Sequence, residues 1–405
     1  MEWKEVDIEQ TSIEIIDGDR GKNYPKNNEF ASSGYCLFLS ASNVTKNGLQ
    51  FCNNSFITKE KDTLLRKGKL IPNDIVLTTR GTVGNVGYYS NDVPFPNMRI
   101  NSGMVIIRPG KDFDAIFLYQ YLRSCYFKAQ IKQFQSGSAQ PQLPISTLQK
   151  MKIIKPGISD QRRIASLLSS LDRKIELNNK INARLEEMAQ AIFKNWFVDF
   201  EPFKDGKFKE SELGMIPEGW KVGSPYEYVN VIYGAPYKSS RFNDKGEGYP
   251  LIRIRDLKDC KPQFYTPEEL PQTEYIKRGD ILAGMDAEFT PRIWKGEMGV
   301  LNQRVCKLSP RFTSINQLFV LYLLKPELEF VQSYKTGTTV SHLGKADIDK
   351  FSVVLPPMNI AEECSKLLDS ILQRITNLSK ESSRLSSLRD TLLPRLMSGE
   401  IEIPE

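Results

Sequence analysis

Two stretches carry the polar side chains best suited to grip a ligand. Residues 136–156 read SGSAQPQLPISTLQKMKIIKP, and residues 336–356 read TGTTVSHLGKADIDKFSVVLP. Ser136, Gly137 and Ser138 in the first, and Thr336, Gly337 and Thr338 in the second, offer small hydroxyls on a permissive backbone, which suits close approach by a phosphate. Gln140, Gln142, Ser341 and His342 follow with amide, hydroxyl and imidazole groups able to meet base edges. Further candidates cluster at Thr78, Thr79, Arg80, Gly81 and Thr82, and at Asn97, Arg99, Asn302, Gln303 and Arg304. Lys22, Arg80, Lys238, Arg241, Arg253 and Arg255 are cations placed to hold phosphates. Taken singly, a Ser-Gly-Ser is an ordinary turn, Asn-x-Arg an ordinary sheet edge, and a surface cation merely solvated. Recurrence is what sets these residues apart.

The same residues do not assemble into a catalytic centre. His342 is the sole histidine, and no GxSxG elbow is present, so a hydrolase triad has little to draw on. HExxH, paired His/Cys sets and a GxxxxGK[ST] phosphate loop are missing too, which argues against zinc and nucleotide chemistry. The one Pro-Pro pair, in Leu355-Pro356-Pro357-Met358, reads as a strand-to-helix connection and not as an adenine-methyltransferase motif. Asp280, Asp286 and Glu288 form a nuclease-like set on paper, but the first copy keeps only Asp74, with Arg80 and Thr82 in the region of the others. A non-catalytic chain without cofactor or metal is expected.

The elements that position these residues come in duplicate. At an offset of 200, Gly137 meets Gly337, Leu143 meets Leu343, Lys150 meets Lys350, Pro156 meets Pro356, Leu168 meets Leu368, Ile175 meets Ile375 and Leu185 meets Leu385. Upstream the echo weakens: IPNDIVL (71–77) resembles IKRGDIL (276–282), and PNMRI (96–100) resembles LNQRV (301–305). A period this long means two copies of one domain-plus-tail, not a solenoid. The tails predict long helices. Ile164, Leu168, Leu171, Ile175, Asn178, Asn182, Leu185, Ala189 and Ile192 fall at steps of four and three. So do Cys364, Leu368, Ile371, Ile375, Leu378, Ser382, Leu385, Arg389 and Leu392. Such spacing is the seam of a coiled coil; the plain alternative is that each helix packs on its own globular domain, and the better reading is that the two tails pack on each other. Chain order then predicts that the second helix runs back antiparallel to the first, so that both termini return to the first head. The loop 204–214 makes the turn, and Phe193, Trp196 and Phe197 form an aromatic end to the first helix.

Each head reads as α+β. DIVLTTRG (74–81), GNVGYYS (84–90), GMVIIRP (103–109), YPLIRIRD (249–256) and VLNQRVCKL (300–308) predict strands of a mostly antiparallel sheet. Residues 114–131 and 315–334 predict helices just ahead of the repeated loop. The heads diverge while the helices match, as expected if each head reads a different target. Across 405 residues the net charge is +6 and the six cysteines are scattered. That is compatible with a nucleic-acid partner and with reduced thiols in a cytoplasm. No apolar run approaches the ~18 residues of a membrane span, and MEWKEVDIEQ does not read as a signal peptide.

This layout resembles the specificity subunit of type I restriction–modification systems. Residues 143–203, from LPISTLQKMKIIKP to FVDFEPF, resemble that family's central conserved region. ELGMIPEGWK (212–221) resembles the start of its second target-recognition domain, and residues 355–403 its distal conserved region. The resemblance implies target-recognition domains at 1–155 and 212–355, with spacer helices at 156–211 and 356–405. It implies a non-catalytic partner for double-stranded DNA, for two methyltransferase subunits and for restriction/translocation subunits, with the methyltransferases docked on exposed helix faces and adjoining parts of the heads. Each domain would read half of a bipartite target, with centres about one DNA turn, roughly 34 Å, apart. The competing readings are an assembly scaffold whose heads bind protein and a self-sufficient restriction enzyme fragment. Cys364 and Arg389 depart from the aliphatic residues usual on the second seam.

Overall fold

A computed structural model describes residues 3–46, 48–134, 141–335 and 342–401. The candidates Ser136, Gly137, Ser138, Gln140, Thr336, Gly337, Thr338 and Ser341 lie outside the described residues. The chain forms two compact units, one of Met1–Arg173 with Leu385–Glu405 and the other of Lys174–Arg384.

In the first unit, strands Glu14–Asp17, Met104–Arg108, Ile75–Thr78 and Val86–Tyr88 form an antiparallel sheet in that order. Side chains alternate across a strand, and both faces of this sheet are covered. Ile75, Leu77, Val105 and Ile107 pack with Phe117, Leu118 and Tyr121 of the helix Ala115–Arg123. Val76, Met104 and Ile106 pack with Leu37, Leu39, Met98 and Ile100 of a smaller sheet, in which Cys36–Leu39 runs parallel to Met98–Ile100. The second unit repeats the plan. Val229–Tyr233, Val305–Pro310, Ile281–Gly284 and Arg292–Ile293 make the antiparallel sheet. Tyr249–Ile252 and Gly299–Leu301 make the parallel pair behind it.

Three expectations change. The predicted helix over 114–131 divides at Ser124 into Ala115–Arg123 and Cys125–Phe134, the first capped by Asp114 accepting from the Ile116 and Phe117 amides at 3.0 Å. The turn over 204–214 is a hairpin, with Phe208–Ser211 paired to Gly214–Pro217 and Gly214 at φ 97°. The register proposed for PNMRI and LNQRV is displaced by four residues. Asn101 donates its amide to Leu39 O at 3.2 Å and Asn302 donates to Ile252 O at 3.1 Å, each acceptor ending the strand of a parallel pair. Asn302 is therefore the counterpart of Asn101, not of Asn97, and Arg99 answers to Val300.

The long helices are Ile158–Phe197 and Met358–Met397, each of 40 residues. At 1.5 Å per residue each spans about 60 Å. Their pairing is antiparallel. In the second unit, Asn182 Nδ2 donates to Ser379 Oγ at 3.1 Å, while Asn178 Nδ2 donates to Glu381 Oε2 at 2.8 Å. As numbering rises on one helix it falls on the other. The aromatic end of the first helix is core: Phe193 and Phe197 are buried, within 5.7 Å of the Phe319 ring.

Asn178 and Asn182 sit fully inside this seam, with their Oδ1 atoms unpartnered. Ser379 Oγ already donates to Ile375 O at 2.7 Å, so removing Asn182 orphans no donor. Asn182→Leu is expected to raise unfolding stability by about 1 kcal/mol, seen as a higher urea midpoint at constant m. A lower midpoint would show that the polar layer stabilises the pair.

In the first unit the departure at Arg389 has a cause. Its Nη1 donates to Asp172 Oδ1 at 2.6 Å, and Asp172 also accepts from Gln120 Nε2 at 2.7 Å and Arg123 Nη1 at 3.2 Å. Burial pushes the Asp172 carboxyl up, but Gln120, Arg123 and Arg389 together outweigh it and hold the group below its usual range. The stabilisation is complete above the unfolded value near 3.8 and is lost as pH falls through the lower folded value. Below that unfolded value, hydrogen-exchange protection of residues 158–173 is expected to fall more steeply in the parent chain than in Asp172→Asn. Parallel profiles would count against the cluster. Cys364, the other departure, is fully buried, and burial pushes its thiol up to about 12.

Candidate nucleic-acid interface

The repeated loop ends at the same anchor in both units. Beyond Ile75–Thr78, Arg80 forms a β-bridge with Gln142, and Leu143 donates its amide to Thr79 O at 2.9 Å. Beyond Ile281–Gly284, Asp286 bridges His342, and Leu343 donates to Met285 O at 2.7 Å. Leu143 and Leu343 are buried, so each pins the loop to the sheet. Alternation along an extended chain then turns Gln142 and His342 outward, where both are exposed. In the first unit the bridge borders an open cleft of about 350 Å³ lined by Arg20, Thr79, Arg80, Gln142 and Ser146, with Asp17 beside Arg20.

The second bridge carries a charge cluster. His342 Nδ1 lies 2.7 Å from Asp286 Oδ1, and Arg304 Nε lies 3.5 Å from Asp286 Oδ2. Asp280, Asp286 and Glu288 do not form a metal set. Asp280 is buried, accepts from the Lys277 amide at 2.8 Å and lies 3.2 Å from Lys307 Nζ, while Glu288 pairs with Arg292. Among the described residues no cluster of three or more His, Cys, Asp or Glu could hold a metal ion.

Four candidates belong to the framework. Arg99 is buried and spends its guanidinium on Asp62 Oδ1 at 2.5 Å, on Lys67 O at 2.7 Å, and on Asp62 O and Leu65 O at 2.8 and 3.0 Å. Burial alone would push the Asp62 carboxyl up; Lys69 and Arg99 hold it below its usual range. Thr78 is buried, its hydroxyl donating to Thr82 O and accepting the Asn85 amide at 2.9 Å, which braces the turn between them. Arg253 lies across the Phe264 ring at 4.4 Å, its Nε 3.5 Å from buried Asp256. Asn302 is a buried turn residue. Arg99 and Thr78 spend on the fold the donors that a ligand would need, while Arg253 Nε and Nη2 are buried without a hydrogen-bond partner.

Lys22, Lys238, Arg241 and Arg255 are exposed cations, Lys238 and Arg241 on the short turn around Ser239–Arg241. Asn97 is half-buried, its carbonyl accepting from the Leu37 amide at 2.9 Å. The structure thus brings together Thr79, Arg80 and Gln142 in one unit, and Asp286, Arg304 and His342 in the other. Two exposed aromatics escaped the sequence reading. Phe134, 44% exposed, ends the helix before the first loop, and Tyr334, 57% exposed, lies near the end of Gln317–Lys335 before the second. Their spacing of 200 was the available signal.

Comparison with known proteins agrees with this doubling. The family described as the type I restriction modification DNA specificity domain matches the chain over residues 2–187 and 217–386. The chain is 29% identical over 352 residues to the type I restriction enzyme MjaIX specificity subunit of Methanocaldococcus jannaschii, covering 82% of this chain and 78% of that one. It is 23% identical to the HindI specificity subunit of Haemophilus influenzae, with 99% and 100% covered. Among solved structures, the type I restriction–modification S subunit from M. genitalium shares the fold, with a TM-score of 0.53 at 15% identity over 97% of this chain and 96% of that one.

Proposed function

Because the chain belongs to the family of the type I restriction–modification DNA specificity domain, we propose that it recognises double-stranded DNA at a bipartite site, each of its two similar domains reading one half. Its role is recognition; cleavage and methylation fall to other subunits. Residues 1–155 and 212–355 are the two recognition domains. Residues 156–211 and 356–405 supply the helices that set the interval between half-sites. The observation that carries this reading is the repeated anchor, which presents a polar loop end from the same strand terminus in each unit. Lys22, Lys238 and Arg241 supply positive charge for phosphates, which fixes orientation but carries no sequence information.

The partners are the other subunits of the system: two methyltransferase subunits, one for each strand of the site, and the restriction/translocation subunits. On the first long helix, Leu177 and Met188 are 51% and 47% exposed, with Ile181 between them. This apolar strip flanks the seam beside Leu185 and suits a docked methyltransferase helix. Among the described residues no helix is long and apolar enough to cross a membrane, and the free cysteines fit a reducing cytoplasm.

Purification with its partner subunits, followed by mapping of methylated bases on genomic DNA, tests the reading. A single two-part consensus with a constant gap is expected, lost when this chain is omitted. Methylation without such a consensus, or independent of this chain, would overturn it.

A further inference from the structure

We propose that Arg80 with Gln142, and Asp286 with His342, are equivalent base-reading positions of the two domains, and that their opposite charge makes the half-sites differ at the base each pair meets. The first pair selects a guanine edge; the second selects an exposed amino group, that of cytosine or adenine. This rests on the DNA reading proposed above.

The equivalence is geometric. Thr79 and Arg80 donate their amides to Gly103 O at 2.9 and 3.1 Å, and Met285 donates to Arg304 O at 2.9 Å. The loop returns on the other side through Leu143 and Leu343. Positions 80 and 286 therefore hold the same place between the same two neighbours, as do 142 and 342. Both pairs are held by buried leucines and backbone bonds, which fixes them well enough to discriminate.

The chemistry at these places is reversed. Arg80 carries only donors, and no described side chain takes them up; Gln142 adds an exposed amide. A donor fork matches the O6 and N7 acceptors of guanine. Asp286 carries only acceptors. Since a carboxylate cannot donate, the proton between it and His342 sits on Nδ1, 2.7 Å away. In the tautomer that donates from Nδ1, Nε2 is a further acceptor. An acceptor pair matches the amino group of cytosine N4 or adenine N6. A bare carboxylate would also repel the backbone. Where the first unit has Gly103 the second has Arg304, 3.5 Å from Asp286, which offsets that charge.

The test exchanges the pairs in the full chain, assembled with its partner subunits, and selects bound duplexes from a random library. Asp286→Arg with His342→Gln should convert one position of the second half-site from cytosine or adenine to guanine and leave the first unchanged. Arg80→Asp with Gln142→His should alter one position of the first half-site only. Asp286→Asn, which preserves shape, should flatten preference at that second-half position about tenfold and so serves if an exchanged chain fails to fold. Unchanged half-sites, or an equal loss of affinity for every sequence, would overturn the inference while leaving DNA recognition intact. A parent chain that selects no bipartite consensus would overturn the underlying reading instead.

Discussion

Removing residues 177–183 together with residues 378–384 is expected to shorten the gap in the recognised site by about three base pairs while both half-sites stay the same. Seven residues of helix are about 10 Å, and a duplex rises about 3.4 Å per base pair. The two segments face each other: Asn182 meets Ser379, and Asn178 meets Glu381 and Ser382. A matched deletion takes out this polar layer whole, leaves no buried amide without its partner, and removes one heptad from each strand of the seam. Selection from a random duplex library reads gap and half-sites in one experiment. Altered half-sites with a constant gap would mean that the helices do not set the interval.

The second large effect concerns Arg99, which the sequence offered as a candidate DNA contact. Arg99→Met should destabilise the first unit by roughly 3–5 kcal/mol, because it leaves the buried Asp62 carboxylate with Lys69 alone and strips several backbone carbonyls of their donor. For a domain of this size that corresponds to a fall in Tm of about 10 °C or more. Arg99→Lys should recover only part of the loss, since an ammonium cannot reproduce the guanidinium fork. Adding Asp62→Leu to Arg99→Met should recover most of it, because a hydrophobic pair of similar volume can replace a buried ion pair. Calorimetry of the three variants decides the matter. A chain that keeps its Tm but loses DNA affinity would restore Arg99 to the interface.

Asp172 and Arg389 illustrate the same limit more mildly. They lie 217 positions apart, and only the antiparallel pairing of the helices brings them together. In the sequence, Arg389 is an exception to an apolar ladder; in the structure it is the third donor to a carboxylate that already has two. The PNMRI and LNQRV segments went astray for a related reason. Both contain Asn followed by Arg two residues on, but the register is set by which residue ends the parallel strand, and that depends on Leu39 and Ile252, each roughly 50–60 residues away.

The sequence by itself determined the twofold repeat, the long helices and their seam, and the alternation that makes buried strands of Ile75–Thr78 and Ile281–Gly284. These follow from local periodicity, since side-chain direction repeats every 3.6 residues in a helix and every two in a strand. It also held the loop anchors, because Leu143 and Leu343 recur at the helix offset. Tertiary structure alone decided which polar residues remain available. Arg99 has the same composition as a surface contact, yet its donors are used by Asp62, Leu65 and Lys67, which lie 32 to 37 residues away in the chain. Asp286 and His342, 56 residues apart, became a pair only when a strand end and a loop end met across one bridge. Hydrogen-bonding capacity is a property of surroundings, and those surroundings are assembled by long-range pairing.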